Sequence, residues 1–157
     1  MSEKPERREL EFSSLEDAVA EIERLAGGKV RTTGKHSFGQ IINHLAVSLD
    51  QSTGKVQAPP PPWYMKVMLF FFKSFVLNDK PLKAGIKLPS ASEDFFWPDQ
   101  EFDVQQALTY FKEAVDRYKT NGPLEKHPVF GKVTLEQNLS LNCRHCALHL
   151  SFVHPAS

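Results

Sequence analysis

Two histidines stand four residues apart in the run NCRHCALHLSFVHP: His145 and His149. On a helix, residues i and i+4 project from the same side, one turn apart. Two imidazoles so placed can share one divalent metal ion, at about 2.0–2.1 Å for zinc. A third imidazole, His44, lies far upstream in GQIINHLAVSLD. If the two helices are neighbours, three neutral imidazoles can converge and leave coordination positions open. That is the arrangement of a catalytic metal site, whereas a structural site is closed by four protein ligands. The same residues have a plainer reading. Histidine pairs at this spacing arise by chance, and histidine at the border of an apolar face is usually half-buried and hydrogen-bonded. On a wheel of about 100° per residue, the apolar stripe of the last helix centres on Leu139, Cys146 and Leu150. His145 and His149 lie on its flank beside Asn138 and Asn142.

Other residues are weaker candidates. His36 precedes a helix and reads as a cap or a solvent-facing ring. His127 sits in a turn before a proline, from where it could close over the site. His154 is close to the C-terminus, where little order is expected. Asp99 and Glu101, in a loop, could join His127 as acid/base groups. Cys143 and Cys146 flank His145 in CRHC, but both fall on the apolar stripe, where cysteine behaves as a small hydrophobe. They also lack the helix N-terminal position that activates a redox CxxC pair.

The elements that must position these residues follow from capping and periodicity. Ser14, with Asp17 three residues on, starts a first helix that Gly27-Gly28 ends with a left-handed cap. Ser37 and Gln40 box the start of a second, with Gly54 near its end. Asp103 and Gln106 start a third, stopped by Asn121-Gly122-Pro123. Thr134 and Gln137 box the fourth. Each carries one apolar stripe, and no stretch shows convincing strand alternation. The expected fold is therefore an all-α four-helix bundle. A long crossover from about Lys55 to Phe102 joins helices 2 and 3, so those two can run parallel. It opens with Pro59 to Pro62, a stiff extended spacer, and then WYMKVMLFFFKSFVL, expected as a short helix packed on the bundle. The rest of the crossover is expected to be irregular, anchored by Phe95, Phe96 and Trp97, which cover the core or line an apolar pocket.

Bulk properties set outer bounds. A chain of 157 residues suits one domain, read here as 8–155 behind a disordered tail of 1–7. The 19 basic and 19 acidic side chains cancel, which gives no electrostatic case for a nucleic-acid partner. A pI near 7.0 permits self-association, so a homodimer is plausible. The stretch from Trp63 to Leu77 is too short, and with Lys66 and Lys73 too charged, to span a membrane. No membrane partner is expected. The N-terminal MSEKPERRELEF has no apolar core and so does not read as a secretory signal. Two neighbouring cysteines without a distant partner fit a reducing, cytoplasmic setting.

HSFGQIINHL resembles the second-helix signature of the DinB-like superfamily of small metal-binding four-helix bundles. HCALHLSFVHP, with HPVFGKVTLEQ before it, resembles the last helix of one domain-of-unknown-function family in that superfamily, and RELEFSSLEDAVAEIERL also fits it. The likeness runs from about Arg8 to Pro155, loosely across the crossover. It implies an up-down-down-up bundle, frequently dimeric, and a divalent ion, usually nickel or zinc, on His44, His145 and His149. Relatives in the superfamily include transferases and isomerases that use bacillithiol or mycothiol, and a metal-dependent hydrolase. The implied function is thus metal-dependent chemistry on a small-molecule substrate, with activated water or a low-molecular-weight thiol cosubstrate. The alternative is a non-catalytic metal- or small-molecule-binding bundle, or a dimeric interaction module built on Trp63 to Leu77.

Overall fold

A computed structural model of the chain describes residues 4–157. The four expected helices begin where their caps stand. Helix α1 spans Leu15–Ala26, with Ser14 and Asp17 in a reciprocal capping box, and α2 spans Phe38–Ser52 behind the Ser37–Gln40 box. In the crossover, α3 covers Trp63–Val76 and α4 covers Ser90–Phe96. Helix α5 spans Val104–Asn121, with the Asp103 side chain accepting from the Gln106 N–H. The last helix, α6, spans Leu135–Leu150 behind the Thr134–Gln137 box. Each box satisfies orphan amides that the first helical turn cannot pair internally.

Helix α2 packs on α5 and α6, and α1 packs on the same two, so α1 and α2 sit on one diagonal of the bundle. The core along the bundle axis includes Leu15, Ile22, Ile42, Leu45, Phe111 and Leu150, all almost fully buried. Cys143 and Cys146 lie in it as free, buried thiols, in keeping with their place on the apolar stripe. Among the described residues no helix is long and apolar enough to cross a membrane.

Four expectations need correction. Gly27 closes α1 in the right-handed region, at φ −78°, so the cap is not left-handed. The C-terminal segment is ordered: β4 (Val153–Pro155) pairs antiparallel with β1 (Val30–Thr32), and His154 is buried. A second ladder joins β2 (Lys126–His127) to β3 (Gly131–Lys132). Strands of two or three residues are too short for a period of two to show in the sequence. The crossover contains a second helix, α4, where irregular chain was expected. Its first turn holds only small and acidic residues, so no apolar period announces it. Finally, α3 does not bury a face against the bundle, for none of its residues is buried. It is held mainly at its C-terminal end, where Leu77 is buried and the Arg144 guanidinium donates to the Val76 (2.9 Å) and Lys80 (3.1 Å) carbonyls.

Of the tail expected over 1–7, residues 1–3 lie outside the described residues. Arg7 reaches Ser151 at 2.9 Å, and the Glu6 carbonyl accepts from Thr33 and His154.

The crossover returns to the bundle at Phe102, directly over the start of α2. A Cβ added to Gly39 would stand 2.0 Å from the Phe102 carbonyl oxygen. Two backbones meet there, and neither can yield as a side chain would. Gly39→Ala should therefore destabilise the fold by about 1–3 kcal/mol, the usual cost of overpacking. Denaturant unfolding checks this, and an unchanged midpoint would show that the contact is not tight.

Candidate metal centre

The two helical positions of His145 and His149 and the single position of His44 meet because α2 and α6 are neighbours. The Nε2 atoms of His44 and His149 lie 3.1 and 3.0 Å from the Nε2 of His145. One ligand atom from each ring lies within 4.8 Å of the others, a grouping that could hold a metal ion. Four ligands at about 2.0–2.1 Å in a tetrahedron stand about 3.3 Å apart, and the two separations from His145 Nε2 are close to that value.

Hydrogen bonding alone cannot satisfy this arrangement. A carbonyl oxygen can only accept, so the 3.1 Å contact between His44 Nδ1 and the Phe96 carbonyl requires an Nδ1–H. Neutral His44 then carries a bare lone pair on Nε2. His145 Nε2 has a single in-plane position, for either one proton or one lone pair. It can pair well with one of its two neighbours, not with both. A cation in the middle accepts all three lone pairs at once. The carbonyl contact is also the familiar outer support of a metal-binding histidine, fixing its tautomer and ring orientation.

Electrostatics favour the ligating form. Burial pushes the His145 imidazole down to about 4. His44 and His149 are held well below the ordinary value of 6.5, first by burial and then by the neighbouring rings. All three are therefore neutral near pH 7, so a cation entering the cluster would meet no imidazolium charge.

The crossover supplies the roof. Trp97 stacks on His44 at 3.8 Å between ring centroids and stands edge-on to His149 at 5.2 Å. On its other face it stacks on His36 at 3.7 Å. The outcome for Phe95–Trp97 is thus specific: Phe96 orients His44 with its backbone, and Trp97 covers the cluster. Sequence reasoning left His36 as a cap or solvent residue and missed the stack. The partners come from separate loops, and no periodic signal links them.

The remaining candidates are placed elsewhere. His127 accepts from the Val129 and Phe130 amides through Nδ1, at 3.0 and 3.2 Å, and so caps its own turn. It is not part of the three-histidine grouping. Asp99 and Glu101 are exposed. Glu101 lines a cavity of about 290 Å³ with Asn43, Gln106 and Tyr110, a group that includes none of the three histidines. The two thiols are poor nucleophiles, since burial raises Cys143 to about 11 and Cys146 higher still.

Residues 4–156 match the model of a family described as Protein of unknown function (DUF1569). The chain belongs to this family. No curated protein and no solved structure matches it. What can be said of this DUF1569 member is therefore carried by its own geometry: a helical bundle with a three-histidine cluster capable of chelating a divalent ion.

The buried imidazoles also set an acid limit for the metal-free protein. His145 and His127 resist protonation down to about pH 4, whereas in the unfolded chain histidine takes a proton near 6.5. The unfolded state thus binds more protons between these values, and stability must fall as pH drops from about 6.5 to about 4. Thermal unfolding of chelator-treated protein should show a declining melting temperature across that window. A flat profile would mean that these rings are not buried in neutral form.

Proposed function

We propose that this protein is a divalent-metal-dependent enzyme whose ion, nickel or zinc, is held by His44, His145 and His149. The observation that carries the proposal is the position of His145 Nε2, at hydrogen-bond distance from two other ring nitrogens that it cannot both satisfy. The likeness to the DinB-like superfamily supports the choice of metals and the reading of the triad. When bound, the ion would act as a Lewis acid, lowering the pKa of a water or of a low-molecular-weight thiol cosubstrate so that a nucleophile forms near neutral pH.

The chain's own residues do the rest. His44, His145 and His149 contribute three neutral nitrogens and leave further positions free for small molecules. The Phe96 carbonyl keeps the His44 Nε2 lone pair turned inward. Trp97, backed by His36, walls one side and limits water there. Because Cys143 and Cys146 are buried and protonated, a thiol reaction would draw its sulfur from a cosubstrate and not from the protein. The reaction class is thus hydrolysis or thiol-dependent transfer.

A non-catalytic metal-binding bundle is the second reading, favoured by the closeness of the Trp97 roof over His44 and His149. An activity panel of thiol-transfer and hydrolase substrates on metal-loaded protein separates the two, and absence of turnover in every class would favour the binder.

Protein purified without an affinity tag should carry about one nickel or zinc ion per chain, and His145→Ala should remove it. Elemental analysis measures both. Full metal content in the variant, or none in the wild type even after adding nickel or zinc, would refute the triad.

A further inference from the structure

Helix α3 presents an uncovered apolar surface. Its side chains Trp63, Tyr64, Phe70, Phe71, Phe72 and Phe75 are between 54 and 77% exposed. At about 100° per residue they share a broad arc with Val67 and Met68. The less exposed Met65, Leu69 and Val76 lie on the opposite side. Patches of this kind mark interaction sites on soluble proteins.

Charge indicates what covers it. Between residues 51 and 92 the chain has six lysines, Lys55, Lys66, Lys73, Lys80, Lys83 and Lys87, no arginine, and a single acid, Asp79. This segment carries five net positive charges in a chain whose total is zero. The lysines border the apolar arc: Lys83 Nζ stands 5.9 Å from the centre of the Phe75 ring. Lys80 and Lys87 are exposed on the same following segment, with Ile86 beside them. An aromatic face edged by lysines is the composition of a helix that lies in a membrane interface. Trp and Tyr, here at the helix start, favour the headgroup level. At 14 residues α3 is about 21 Å long, short of the roughly 30 Å a span requires. Pairing α3 with its counterpart in a second copy, by the usual twofold contact, would bring two such cationic segments together, whereas an anionic bilayer neutralises them.

We propose that α3, flanked by Lys80, Lys83 and Lys87, docks the protein on the surface of an anionic phospholipid bilayer. The expectation of no membrane partner rested on spanning. Lying on a surface needs only one apolar face and a cationic border.

The test is co-sedimentation of the purified full chain with vesicles of phosphatidylcholine alone and of phosphatidylcholine with phosphatidylserine. Binding to the anionic vesicles should be strong at low salt and weak at high salt. It should fall about fivefold for each of Lys80→Gln and Lys83→Gln, the loss expected per removed surface lysine. Phe71→Asp, at an exposed position outside the core, should abolish it while leaving metal content and helicity unchanged. No binding to anionic vesicles would overturn the proposal, as would equal binding to both vesicle types. A concentration-dependent dimer that Phe71→Asp dissociates, in protein that ignores vesicles, would assign the face to a second copy.

Discussion

Three ring nitrogens aimed at one another are unfavourable unless something positive lies between them. The Nε2 atoms of His44 and His149 both approach that of His145 to about 3 Å, in a setting where burial keeps the rings neutral. Placing them there costs solvation, and paired hydrogen bonds recover only part of it. The surrounding structure is organised to hold this convergence. The α2–α6 contact sets the distance, the Phe96 carbonyl sets the His44 tautomer, and Trp97 keeps the ring from turning.

Polar groups buried nearby hold the helices in register. On one side Asp50 is almost fully buried and receives Arg117 through two bonds of 2.8 and 2.9 Å. On another, Tyr118 donates to Asn138, which also accepts from Asn142, tying α5 to α6 about two turns before His145. Such networks are costly if broken on one side only, since the remaining group stays buried and unpaired. Asp50 and Arg117 tie α2 to α5, and Tyr118 and Asn138 tie α5 across the bundle to α6, so together they help set the approach of His145 and His149 to α2.

Much of this was legible in the sequence because it is local. Ser14, Ser37, Asp103 and Thr134 announce helix starts through bonds spanning three residues, and the stripes between them follow a period of 3.6. The pairing of His145 with His149 is equally local. The inclusion of His44 was not, for nothing in spacing alone makes α2 and α6 neighbours; family likeness supplied that link. The remaining features depend on contacts between distant segments. The β1–β4 ladder joins the connection between α1 and α2 to the segment after α6 through strands of three residues. The His36–Trp97–His44 stack joins two loops and a helix. The exposure of α3 was misread because an apolar run normally finds a core, and its composition does not say whether that core lies in the same chain.

The most direct measurement of the central claim is X-ray absorption at the metal edge of protein loaded with zinc. The expected first shell has three imidazole nitrogens at about 2.0–2.1 Å, with one or more further light-atom ligands from solvent. Its imidazole scattering should diminish in His149→Ala. A shell containing sulfur at about 2.3 Å, or one with no imidazole signature, would place the ion elsewhere and contradict the three-histidine centre.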